Sequence, residues 1–160
     1  MGSQDWEKPC AHPFGLRPAR LFAPLWVEAL AMHGWDIRAP SDPSTHLAPE
    51  SFPAFFTIIR ERVVTRAFRP DVRRSRPIGY RFLVTGPLTT TTDIVLSPEG
   101  ACVAPTGQAE VDVCFRCEAE PYILVMFGRR PLEAAIATGE VTVEGDHALA
   151  VAFGQSFQGG

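Results

Sequence analysis

The hydrophobic period of this chain changes once, across the stretch "FRPDVRRSRP" at residues 68–77. Before it, Phe52, Phe56, Ile59 and Val63 recur at helical spacing. After it, Ile78, Tyr80, Phe82 and Val84 occupy every second position, which puts all four on one face of a strand. A chain that begins helical and then turns to half-apolar strands has few ways to bury both patterns. The result is an α+β fold, in which a small mixed or antiparallel sheet is covered on one face by helices.

The remaining elements follow the same two periods. A first helix starts near Pro18 or Pro24, runs through "LWVEALAMHGWDIR" and is broken by Pro40, Ser41 and Pro43. A second starts around Pro49, with Arg60, Arg62 and Arg66 off its apolar stripe. Further strands are "TTTTDIVLS", a short piece over Ala101–Ala104 after the turn "SPEG", and "EVDVCFRC". In the last of these Val111, Val113, Phe115 and Cys117 alternate with Glu110, Asp112 and Arg116. Two short helices, "AEPYILVMFG" and "PLEAAIATG", stop at Gly128 and Gly139. The strand "EVTVEG" follows, and Asp146 then caps a closing helix whose Leu149, Phe153 and Phe157 repeat every fourth residue. Residues 1–16 read as an irregular arm and 17–160 as a single domain, with a helical part over 17–69 and a sheet-bearing part over 77–157.

The chain has 160 residues, enough for one domain with a sizeable core. No apolar run approaches the ~18 residues of a membrane span, and "MGSQDWEKPC" has no signal core, so the expected location is the cytoplasm. Cys114 and Cys117 form a C-x-x-C, but an odd separation on a strand sends the thiols to opposite faces, away from a shared metal. Net charge is −3, with seven arginines against Glu61 and Asp71 between Arg60 and Arg76. That segment suits a phosphate, a carboxylate or transient contact with an anionic membrane, or is simply a solvated helix end. Few aromatics interleave it, so nucleic acid is not an expected partner.

The stretch from Glu110 to Phe153 resembles the end of the sterol-carrier-protein family: a strand, an apolar helix, a glycine-basic turn, a second helix, "GEVTVEGD" and a final helix. The resemblance runs in order over 77–157 and is most specific over 128–153; the "TTTT" run departs from it. It implies an apolar tunnel between sheet and helices, with a hydrophobic or amphipathic, lipid-like or polyketide-like small molecule as cargo. Candidate wall residues are Trp35, Tyr80, Phe82, Phe115, Met126, Phe127 and Phe153, with Arg129 for a polar end; each of the apolar ones is equally a core residue. "WVEALAMHGWDIRA" is similar to the last bundle helix of mycothiol-dependent maleylpyruvate isomerases and related thiol transferases, where a metal-binding bundle precedes a carrier-like domain.

Two functions compete. One is a binding module, since G-x-S-x-G, H-E-x-x-H and a Gly-rich phosphate loop are all missing. The other is a metal-independent enzyme of secondary metabolism, an isomerase or cyclase, or a thiol-dependent isomerase or transferase relative. There His33 would be a general base oriented by Asp36 at i+3, and Arg38 or Arg129 would hold a carboxylate or enolate. No metal or cofactor is expected: the resemblance implies a glutamate four residues before the ligand histidine, where this chain has Ala29, and Glu28 lies about 140° round the helix from His33. A homodimer, or another partner, is expected if the rest of the chain leaves the first helix's apolar face uncovered.

Overall fold

The computed structural model describes residues 2–12, 15–69 and 76–156. Phe157, Asp71, Arg73 and Arg74 of the patterns above lie outside them. The chain divides into two compact units, Met1–Ile58 and Ile59–Gly160.

In the first unit the arm carries a 3-10 turn over Ser3–Glu7 and a two-residue antiparallel ladder, β1 (Pro9–Cys10) with β2 (Arg17–Pro18). Helix α1 spans Phe22–Arg38 after a 3-10 turn at Ala19–Leu21. It ends as Ser41 and Asp42 donate their amides to the Arg38 carbonyl. The Asp42 carboxylate then accepts from the Ser44 amide and hydroxyl, which turns the chain. The Trp35 indole donates to the Thr45 carbonyl (3.2 Å) and ties the turn back to the helix. Pro49 opens the next 3-10 turn, and α2 (Phe52–Ile58) packs on α1.

The second unit starts within the same helical run. Ile59–Val63 is a π-helical turn and α3 covers Val64–Arg66. The wider turn admits an extra residue, so Ile59, Val63 and Val64 are all buried. Strands β3 (Ile78–Thr85), β4 (Thr90–Ser97), β5 (Gly100–Ala104), β6 (Val113–Glu118) and β7 (Val141–Gly145) form one sheet in the order β5-β4-β3-β6-β7. Pairing is antiparallel except between β3 and β6, so the sheet is mixed. Helices α4 (Ala119–Met126), α5 (Leu132–Ala137) and α6 (His147–Ser156) follow the expected order. Asp146 caps α6 by accepting the Ala148 and Leu149 amides.

One expected strand is shorter than its sequence pattern. Val111 and Asp112 belong to an irregular segment leading into β6. The reason is a close approach: the Asp112 amide donates to the Gly79 carbonyl (2.8 Å). A Cβ at Gly79 would lie 1.7 Å from the Glu110 carbonyl oxygen, and one at Gly145 2.3 Å from that of Asp112. Only glycine fits at either strand where this segment crosses.

Candidate functional site

The covered face of the sheet is built from rings. Tyr80 and Phe82 on β3 and Phe115 on β6 point to one side because they share a register. Tyr122 of α4 and Phe153 of α6 come down on them. Phe82 lies 4.7 Å from Phe115, 5.1 Å from Tyr122 and 5.5 Å from Phe153, centroid to centroid. All five rings are buried, as are Met126 and Phe127. The Tyr80 hydroxyl donates to the Leu149 carbonyl of α6 (3.1 Å). The Tyr122 hydroxyl lies against Thr92, and burial pushes its titration well above the ordinary tyrosine range.

A cleft of about 150 Å³ opens beside this cluster, lined by Val125, Gly128, Arg130, Pro131, Leu132, Glu133, Phe153 and Gly154. Its walls are apolar except for two side chains. The Arg130 guanidinium donates to both oxygens of Glu140 (2.7 and 2.9 Å). The Glu133 carboxylate lies 3.0 Å from where a Cβ on Gly154 would stand. Phe153 is counted in the lining of the cleft and, fully buried, in the ring cluster beside it.

The opposite face of the sheet is ionic. Arg81 makes a two-pronged pair with Asp93 (2.7 and 2.7 Å), and the Gly107 amide adds a third bond to the same carboxylate. The Arg81 guanidinium holds the fully buried Asp93 carboxyl below the usual carboxylate range. Arg76 does the same for Asp112, which also accepts the Gly79 amide. Cys114 lies across from Arg81, while Cys117 is on the buried face. Desolvation raises both thiols, Cys117 to about 12, so neither is a preformed thiolate nucleophile.

Of the residues expected from sequence, Phe153 alone lines the cleft; Tyr80, Phe82, Phe115, Met126 and Phe127 fill the interior behind it. The Arg129 guanidinium turns back to the Phe127 carbonyl (2.8 Å), and its neighbour Arg130 reaches the cleft instead. His33 and Asp36 do meet on one face of α1, Nδ1 to Oδ2 at 3.4 Å, with the imidazole 72% exposed. Arg38 donates to the Gly34 carbonyl, one turn back. Trp35 is held by the turn at Thr45. Among the described residues no three His, Cys, Asp or Glu side chains converge as metal ligands, and no helix is long and apolar enough to cross a membrane.

The model of the SCP-2 sterol transfer family matches residues 69–158, more than half of the chain, and the chain belongs to that family. Among solved structures it is similar to the ubiquinone synthesis protein UbiJ-SCP2 (19% identity, TM-score 0.42, 84% of this chain and 94% of that one). It is also similar to sterol carrier protein 2 from Yarrowia lipolytica in its apo form (14%, 0.45, 67% and 91%). A third is palmitated SCP2L2 from Aedes aegypti (17%, 0.46, 63% and 88%). No curated protein matches the sequence.

Proposed function

We propose that the second unit binds the apolar part of a small lipid-like or polyketide-like molecule, entering between α5 and α6 and displacing Phe153. The observation that carries this is the double membership of Phe153, a fully buried ring of the aromatic cluster that also belongs to the lining of the cleft. The cleft by itself is smaller than the roughly 300–1,000 Å³ of ordinary ligand pockets. Cargo is therefore accommodated by swinging the ring or lifting α6. Membership of a sterol transfer family supports an apolar cargo. Arg130 and Glu133 at the cleft favour a cargo with a polar end.

Titration with a fluorescent acyl probe tests this. Saturable binding that tightens in Phe153→Ala and is lost in Gly154→Trp, which fills the cleft, is expected. Equal probe response in all three proteins contradicts it.

A second reading has one observation behind it, the His33–Asp36 pair. It makes this chain a metal-independent relative of the mycothiol-dependent maleylpyruvate isomerases, with His33 as base. His33→Gln should then abolish turnover while thermal stability is retained. The cleft is lined by residues between 125 and 154 and includes neither His33 nor Asp36, which favours the binding reading.

A further inference from the structure

Seven residues of α1 lie within 60° of Leu30 at 100° per residue: Ala23, Trp26, Val27, Leu30, His33, Gly34 and Ile37. Opposite them is the buried Met32. Four of the seven are large apolar side chains left open: Trp26 is 67%, Val27 43%, Leu30 72% and Ile37 77% exposed. Soluble surfaces seldom carry such a contiguous stripe without an occupant.

We infer that a second copy of this chain covers the stripe, its α1 running antiparallel to the first with the two-fold axis at Leu30. Three observations select this occupant. The stripe is complementary to its own reverse. Antiparallel pairing about Leu30 puts Trp26 of one copy over Gly34 of the other and Ile37 over Ala23, large against small both times, and sets Val27 beside His33. Gly34 then has a reason to exist: glycine weakens a helix interior, and here a Cβ would meet nothing within 4 Å inside the chain. The area also suffices. The four exposed side chains offer on the order of 500 Å² per copy, so two copies reach the ~1,000 Å² that a specific interface needs. A membrane is a poorer occupant, since helices that lie on anionic lipid are rich in Lys and Arg on the polar face. The charges of α1 are Glu28, Asp36 and Arg38.

Light scattering after gel filtration at about 10 μM, in the range of a modest interface, should give the mass of a dimer. Leu30→Glu should raise the dissociation constant by at least about tenfold. With Cys10 and Cys102 replaced by serine, oxidation should join two Leu30→Cys chains but not two Ile37→Cys chains. Position 37 of the two copies is separated by about 20 Å along the axis, beyond the reach of a disulfide. A monomeric mass overturns the inference. So does a dimer that Leu30→Glu leaves intact, or one that cross-links equally through Ile37→Cys. Circular dichroism verifies that each variant keeps its helix content.

Discussion

The Phe153 ring rests 4.8 Å from the Tyr80 ring, and the Tyr80 hydroxyl is bonded to the Leu149 carbonyl one turn earlier in the same helix. One β3 side chain thus both supports the ring that closes the interior and ties down the helix that carries it. Tyr80→Phe keeps the ring and loses the tie. It should lower stability by about 1 kcal/mol and speed probe association, read by denaturant titration and stopped flow. An unchanged association rate would show that α6 does not move on entry.

The Arg81–Asp93 pair should dominate the acid stability of the second unit. Asp93 is fully buried and the Arg81 side chain is 26% exposed. Asp93→Asn leaves a largely buried guanidinium unpaired and should cost about 3 kcal/mol at pH 7. The sign with pH follows from the lowered carboxyl. Its contribution is fully present above the unfolded value near ~3.9 and is lost as pH falls through the folded one. Denaturation curves of the two proteins should converge in strong acid. A gap that persists there would place the effect elsewhere.

Glycine replacement separates two kinds of close contact. Gly79→Ala drives a Cβ into the Glu110 backbone, which cannot yield locally, and should prevent folding or cost several kcal/mol. Gly154→Ala meets the end of the Glu133 side chain, which can turn away. It should be neutral or stabilise by up to about 1 kcal/mol, because alanine favours the helix. Thermal melts of both variants test this, and a tolerated Gly79→Ala would contradict the crossing at 110–112.

Thiol chemistry should follow burial. Cys102 is exposed and Cys117 buried, the latter with its thiol pushed up to about 12. Iodoacetamide at pH 8 should label Cys102 first and Cys117 only on unfolding, as read by peptide mass spectrometry. Early labelling of Cys117 would mean that the helix-covered face opens readily.

Much of the fold was legible in the sequence because period and punctuation agree. Alternation from Ile78 to Val84, the glycine stops and the Asp146 cap each name an element by local chemistry. The parallel β3–β6 pairing was not legible, since it joins residues some 33 positions apart (Tyr80 with Val113) and leaves no local mark. Nor was the irregular entry to β6, where the apolar-polar alternation of "EVDV" reads as strand although the backbone is diverted across Gly79. In the candidate site the sequence pointed to the rings but not to the cleft. A wall and a core share one composition, and whether Arg129 or Arg130 faces the cleft depends on the turn at Gly128. Gly154 was the available signal: a glycine inside a helix marks a close approach.

Cargo that enters at Phe153 should occupy the space beneath α6. A crystal structure of the chain with a bound fatty acid tests it most directly. The acyl chain should lie between α5 and α6, with the Phe153 ring rotated off Tyr80 and Phe82. An acyl chain bound elsewhere, with the five-ring cluster unchanged, would contradict it.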